Sequence, residues 1–133
     1  MKIVIDTNVI ASAIFFGGKP RELIEHLIQH QLQAFVTTEI LEEYAETIDY
    51  LKAKYSQKPV HIPLAQIVSV CELINSTSDI KICRDPDDDK FINCAIDSKS
   101  LYVVSGDKDL LTLKKHKNIE IITVGDFLER FNK

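Results

Sequence analysis

Short, β-rich apolar runs alternate regularly with longer segments of helical periodicity along the chain. Short continuous apolar runs are typical of strands buried on both faces, and apolar spacings of three and four residues are typical of amphipathic helices. The runs predict five strands, at residues 2–5, 32–36, 79–83, 101–104 and 119–122. Five strands separated by helices indicate an α/β fold in which a parallel sheet carries helices on both faces.

The helical segments between these strands have recognisable limits. Gly17 and Gly18 interrupt the first helix, and Pro20 suits the first turn of the next. Another helix is predicted to open at Pro63, with apolar residues spaced to pack at Leu64, Ile67, Val68, Cys71 and Ile74. The sequence has no repeat, linker or low-complexity segment, so we expect a single domain over residues 1–133.

The composition bears on the location of the domain, on the chemistry of its cysteines and on nucleic-acid binding. No apolar run approaches the roughly 20 residues that a membrane-spanning helix needs, so we expect no membrane association and a cytoplasmic location. The three cysteines, Cys71, Cys83 and Cys94, form neither a disulfide framework nor a zinc pattern. The net charge of −4 counts mildly against a broad basic face for nucleic acid, but a site built from carboxylates would also produce it.

Acidic residues fall where a parallel sheet places its ligands. Asp6 follows the first predicted strand and Asp107 follows the fourth. Ligands of such sheets bind beyond the carboxyl ends of the strands, where the strand order reverses. If strands one and four are neighbours there, Asp6 and Asp107 face each other across one crevice. Asp89 lies in a first helical turn that opens toward this edge, and Glu43 lies one turn into the helix after strand two.

Several carboxylates in one crevice indicate a bound cation. Like charges a few ångströms apart repel each other, and a divalent ion removes that repulsion. Ligand sets made only of oxygen favour hard ions such as Mg²⁺ or Mn²⁺, which can activate water and neutralise phosphate charge. The chain has only four histidines, and His26 and His30 lack the intervening Glu of a zinc protease motif.

Simpler explanations exist for each acid alone. Asp6 and Asp107 could cap the helices that follow them, and acids such as Asp89 are favourable at any helix N-terminus. A calcium loop starting at Asp85 is rejected, because Lys90 stands where the loop needs Gly and Ile96 where it needs Glu.

Three segments together resemble a known family. They are Ile3-Val4-Ile5-Asp6-Thr7-Asn8-Val9, Asp85-Pro86-Asp87-Asp88-Asp89-Lys90-Phe91 and Val103-Val104-Ser105-Gly106-Asp107-Lys108-Asp109-Leu110-Leu111. In this order and spacing they are similar to PIN domains, and more narrowly to the VapC-like bacterial proteins assigned as toxins of toxin–antitoxin pairs. A phosphatase of the haloacid dehalogenase type would need a second Asp where this chain has Asn8.

The resemblance implies a three-layer α/β/α Rossmann-like domain with a five-stranded parallel sheet in the order 3-2-1-4-5. It also implies a Mg²⁺- or Mn²⁺-dependent endoribonuclease that cleaves single-stranded RNA. The implied partners are the RNA, an antitoxin protein and a second copy of the chain, since relatives commonly dimerise. The alternative is a non-catalytic PIN-like module that binds RNA or protein and retains a structural cation.

The resemblance also assigns roles to individual residues. The catalytic acids and metal ligands would be Asp6, Glu43, Asp89 and Asp107, with Glu39 and Glu42 weaker matches than Glu43. Supporting polar positions would be Asn8, Ser105 and Asp109. Lys90 and Lys108 stand close enough in sequence to the acids to bind substrate phosphate.

Overall fold

The computed structural model describes residues 1–133 and contains one six-stranded sheet flanked by helices. The strand order is β3-β2-β1-β4-β6-β5, and every neighbouring pair is parallel except β5 with β6. The strands are β1 Lys2–Ile5, β2 Gln33–Val36, β3 Cys71–Leu73, β4 Tyr102–Val104, β5 Lys115–His116 and β6 Ile119–Ile122.

Seven α-helices connect these strands. They are α1 Thr7–Phe15, α2 Gly18–Ile28, α3 Thr38–Lys54, α4 Leu64–Ser69, α5 Asp89–Ser98, α6 Lys108–Leu111 and α7 Val124–Phe131, with one 3-10 turn at Pro86–Asp88 before α5. The break between α1 and α2 has positive φ at Gly17 and Gly18, a backbone conformation that glycine adopts without steric cost. Thr37 caps α3 by accepting a hydrogen bond from the Ile40 amide at 3.2 Å.

The predicted α/β fold with a mostly parallel sheet is confirmed. The five parallel strands stand in the predicted order 3-2-1-4-5, counting β6 as the fifth. The structure adds β5, a two-residue antiparallel strand at the sheet edge, so the sheet has six strands rather than five.

The position of the third strand was predicted wrongly. The strand is Cys71–Leu73, in register with β2 from Ala34 to Val36, whereas residues 79–83 form no strand. The helix expected to continue through Cys71 and Ile74 ends at Ser69. Pairing with the buried edge of β2 overrides the helical spacing of these apolar residues, as tertiary context commonly does over short segments.

The core is centred on β1, whose residues Ile3, Val4 and Ile5 are almost fully buried. Tyr44 of α3 is also buried, and its hydroxyl donates a hydrogen bond to the carbonyl oxygen of Ile5. This contact fixes α3 against the last residue of β1. None of the helices is long and apolar enough to span a membrane.

Candidate active site

Asp6 stands at the carboxyl end of β1, in the middle of the sheet. Its amide donates a hydrogen bond to the carbonyl of Val104 at 2.9 Å, which continues the pairing of β1 with β4. Although Asp6 precedes α1, its side chain makes no capping hydrogen bond. Its carboxylate oxygen Oδ2 instead accepts a hydrogen bond from the Ser105 hydroxyl at 2.6 Å. Asp6 is therefore a buried carboxylate directed at the end of the neighbouring strand.

Ser105 connects the ends of β1 and β4. Besides donating to Asp6, the fully buried Ser105 hydroxyl oxygen accepts a hydrogen bond from the Asp107 amide at 3.0 Å. The Asp107 carboxylate caps α6 through Oδ1, which accepts from the Asp109 amide at 3.0 Å. Burial raises the pKa of Asp6, the Ser105 hydrogen bond lowers it, and the charges of Asp107 and Glu43 raise it again, with a net upward shift.

The third acid at this edge is Asp88, in the turn before α5. Its side chain is buried, and its Oδ2 has no hydrogen-bond partner. Burial, then the neighbouring carboxylate of Asp107, then that of Asp6 raise the pKa of Asp88 to about 7. Two facing carboxylates share a hydrogen bond only when one carries a proton, so the ionised pair leaves a buried oxygen unsatisfied.

Asp89, the residue that the sequence favoured for this place, points elsewhere. Its Oδ1 accepts hydrogen bonds from the amides of Ile82 at 3.2 Å and Cys83 at 2.9 Å. The structure therefore brings Asp88, rather than the Asp89 that the sequence favoured, beside Asp6 and Asp107. The cause is the 3-10 turn Pro86–Asp88, which sets the rotation at which α5 begins.

Glu43 reaches the same edge from α3 and is held by two contacts. Its Oε2 accepts a hydrogen bond from the Thr7 hydroxyl, and its Oε1 forms an ion pair with the Lys90 ammonium at 2.6 Å. Lys90 is 8% exposed at its side chain and also donates to the Asp87 carbonyl at 2.6 Å. Burial lowers the pKa of Lys90, but the contact with Glu43 outweighs it and the net shift is upward. Lys90 therefore neutralises Glu43 instead of presenting a free charge to substrate phosphate.

The remaining predicted residues lie around this cluster. Asn8 and Lys108 are exposed at the starts of α1 and α6. Asp109 forms an exposed ion pair with Arg84, with 3.3 Å between Oδ1 and Nη1. Of the three supporting residues predicted from the sequence, only Ser105 contacts an acid of the cluster through its side chain, whereas Asp109 contacts Asp107 through its backbone amide.

Sequence reasoning missed three contributors to the site: Thr7, Tyr44 and Asp88. Thr7 and Tyr44 position Glu43 and the end of β1, and a hydroxyl paired with a distant residue leaves no signal in a single sequence. For Asp88 a signal existed. Residues three, four and seven positions after Asp88 are Phe91, Ile92 and Ala95, which form the buried face of α5.

The chemistry of this cluster suits a hard divalent cation. Asp6, Asp88 and Asp107 supply only oxygen ligands, and the buried Asp88 oxygen lacks any partner within the protein. No group of three or more His, Cys, Asp or Glu side chains is already arranged to hold a metal ion. A cation would therefore draw together carboxylates that repel each other in its absence. Burial first, and then this repulsion, raise the pKa values of Asp6 and Asp88.

Comparison with known proteins identifies the family. The family model described as PIN domain matches residues 2–109. The uncharacterized protein MJ1680 of Methanocaldococcus jannaschii is 30% identical over 145 aligned residues, which cover 100% of this chain and 93% of that protein. No solved structure matches the chain. The match covers Asp6, Glu43, Asp88, Asp89 and Asp107, and the chain belongs to the PIN domain family, whose members are generally nucleases.

Proposed function

We propose that this protein is a divalent-metal-dependent endoribonuclease that cleaves single-stranded RNA at the Asp6–Asp88–Asp107 cluster. The observation that carries the proposal is the buried Asp88 carboxylate, whose Oδ2 has no hydrogen-bond partner, beside Asp107 and Asp6 at the sheet edge where the strand order reverses. Retaining such a group is costly for folding, which a purely structural role would not justify. Membership of the PIN domain family supports a nuclease, and a cation would bind the buried carboxylates of the cluster.

Asp6, Asp88 and Asp107 would hold Mg²⁺ or Mn²⁺, in place of the set with Asp89 that the sequence suggested. When bound, such an ion supplies positive charge for the phosphate and promotes ionisation of water. Ser105 holds the Asp6 carboxylate in a fixed orientation through its 2.6 Å hydrogen bond. Glu43, restrained by Thr7 and Lys90, places a further carboxylate at the edge of the cluster, where it can orient a water molecule.

Single-stranded RNA is the proposed substrate because its flexible backbone can enter an open sheet edge that a rigid duplex could not approach closely. Cleavage of a labelled single-stranded RNA is the direct test, performed with Mg²⁺, with Mn²⁺ and with chelator. We expect cleavage with either metal and none with chelator, and loss of cleavage in Asp6→Asn. Equal cleavage by wild type and Asp6→Asn would point to a contaminating nuclease and reject this site.

The binding-only alternative predicts a different result from the same samples. A module that retains a structural cation would be stabilised against heat by Mn²⁺ yet leave the RNA intact. RNA that stays uncleaved together with a Mn²⁺-dependent rise in Tm would therefore replace the nuclease proposal with that alternative.

We further propose, from the resemblance of the acidic segments to toxin components, that the protein acts with an antitoxin and as a homodimer. Expression of wild type, but not of Asp6→Asn, should arrest bacterial growth if RNA cleavage is toxic. Sedimentation of the purified protein measures its oligomeric state directly. Normal growth with active soluble enzyme would reject the toxin role while leaving the nuclease proposal intact.

A further inference from the structure

A groove of about 590 Å³ opens beside the acid cluster. One wall is the start of α3, from Thr37 to Glu39, and the other is the segment 76–83, which we call the strap. Lys90, the ion-pair partner of Glu43, lines the groove as well and so belongs to both sites. The volume lies within the range of about 300–1,000 Å³ that is usual for ligand sites.

The strap wall is fixed in place by side chains of α5. Asp97 accepts four hydrogen bonds from residues Ser76, Thr77 and Ser78, at 2.5 to 3.0 Å. Asn93 bonds both the amide and the carbonyl of Ile80, at 2.8 and 3.3 Å. Asp89 holds the amides at the end of the strap. Residues 89, 93 and 97 are spaced by four on one face of α5, so the groove is formed before any ligand binds.

The charges of the groove disfavour phosphate. Its two lysines are already engaged, Lys81 by Asp79 at 3.8 Å and Lys90 by Glu43. Glu39 adds a negative charge that no ion pair neutralises. An anion would therefore be repelled, whereas a neutral ligand that donates and accepts hydrogen bonds would not.

The same groove offers free hydrogen-bonding groups. Only two of its fourteen lining residues are hydrophobic, so it does not suit an apolar ligand. Thr38 and Asn75 line it with exposed side chains that make no hydrogen bond within the protein. A nucleobase of single-stranded RNA is a neutral ligand with donors and acceptors along its edge, and proteins read such bases when they are splayed out of the strand.

We propose that the strap groove binds one nucleobase of the RNA next to the phosphate held at the acid cluster, with Asn75 and Thr38 contacting its edge. This subsite rests on the proposed nuclease function and assigns base recognition to a surface separate from the acids. Asn75 and Thr38 then determine which nucleotide is accepted, and Asp6, Asp88 and Asp107 act on the phosphate.

Two chromogenic phosphodiesters with the same leaving group test the subsite: adenosine 5′-(p-nitrophenyl phosphate) and methyl p-nitrophenyl phosphate, each with Mn²⁺. We expect wild type to prefer the adenosine ester in kcat/KM. Asn75→Ala should reduce that preference about fivefold and Asn75→Ala with Thr38→Val about tenfold or more, from the loss of one and two hydrogen bonds. Asn118→Ala, an exposed asparagine next to the opposite end of the sheet, is the matched control and should keep the preference.

The ratio of the two rates separates recognition from damage. An equal fall in kcat/KM on both esters in Asn75→Ala would indicate a purely structural role and overturn the subsite. A preference unchanged by Asn75→Ala would also overturn it and would leave the groove to a protein partner. If wild type hydrolyses neither ester, the result counts against the proposed nuclease chemistry and leaves the subsite to be tested by binding. Fluorescence anisotropy of a short labelled single-stranded RNA with chelator then decides: weaker binding to Asn75→Ala than to Asn118→Ala supports the subsite, and equal binding rejects it.

Discussion

Helix α5 and the turn before it carry acidic side chains in two opposite environments. Asp88 faces the sheet, where its carboxylate is buried beside Asp107 and Asp6 and keeps one oxygen without a partner. Asp97 faces the strap and accepts four hydrogen bonds. The pKa of Asp88 is raised to about 7. Burial also raises the pKa of Asp97, but the hydrogen bonds from Ser76, Thr77 and Ser78 together outweigh it, and the net shift is downward.

The contrast between Asp88 and Asp97 distinguishes acids suited to chemistry from acids that stabilise the fold. Asp89 and Asp97, which hold the strap, accept their hydrogen bonds within the protein, so their charge stabilises the fold. The acid at the sheet edge is destabilised by its surroundings, and such strongly shifted groups in clefts are candidates for function. Substitutions that remove charge from one set or the other should therefore change activity and stability in opposite ways.

The largest expected effect is on activity, in Asp88→Asn compared with Asp89→Asn. Asp88→Asn should lower kcat for RNA cleavage about 100-fold or more, the usual loss for a group that organises charge in an active site. Asp89→Asn should stay within about threefold, because an amide oxygen can still accept from Ile82 and Cys83. Initial cleavage rates with saturating Mn²⁺ measure both. A larger loss of kcat in Asp89→Asn than in Asp88→Asn would show that Asp89, and not Asp88, acts with Asp6 and Asp107.

This pair also marks the limit of what the sequence could predict. The rule that ligands bind beyond the carboxyl ends of parallel strands located Asp6 and Asp107 correctly at one sheet edge. That rule alone could not separate Asp88 from Asp89, because it does not specify which of two adjacent helical residues, roughly 100° apart in direction, points at the edge. The spacing of Phe91, Ile92 and Ala95 from Asp88 was the signal that could have done so.

The strap was unpredictable for another reason. The sequence of residues 79–83 resembles a strand because it is partly apolar, but backbone amides of this segment donate hydrogen bonds to side chains of α5 rather than to a neighbouring strand. The true β3 has three residues, too few to show a period. Likewise, the sequence suggested that Lys90 could bind phosphate, because it does not show that Glu43 of α3 forms an ion pair with Lys90 in the folded protein.

The next largest effect is a loss of stability on removing the strap anchor. Asp97→Ala should lower the free energy of unfolding by about 2 kcal/mol, because Ser76, Thr77 and Ser78 lose charge-assisted hydrogen bonds at once. Urea unfolding at neutral pH measures this change. Asp49→Ala, at an exposed position of α3, is the control and should stay near wild type. Equal midpoints for both variants would mean that the strap contributes little to folding.

A smaller effect of opposite sign is expected at Asp88. In metal-free protein at pH 8, Asp88→Asn should raise the free energy of unfolding by about 1 to 2 kcal/mol. The folded pKa of about 7 lies above the ordinary aspartate value of 3.8, so the native state holds its proton more tightly than the unfolded chain, and stability is lost as pH rises toward 7. Adding Mn²⁺ should reverse the order of the two proteins, as a bound ion stabilises wild type. Lower stability of Asp88→Asn without metal would contradict this account.

The smallest effect is the pH dependence that separates the two acids. Because the pKa of Asp97 is lowered from 3.8, its contribution to stability is present above about pH 4 and is lost as pH falls through the folded pKa. The stability gap between wild type and Asp97→Asn, about 1 kcal/mol at neutral pH from the charge on the hydrogen bonds, should therefore close below pH 4. The stability difference between wild type and Asp88→Asn should instead appear between pH 4 and 7, with wild type the less stable protein.

Unfolding of all three proteins across pH 3 to 8 without metal measures both differences. Parallel curves would show that the two carboxylates share one environment, and the distinction between acting and supporting acids would fail.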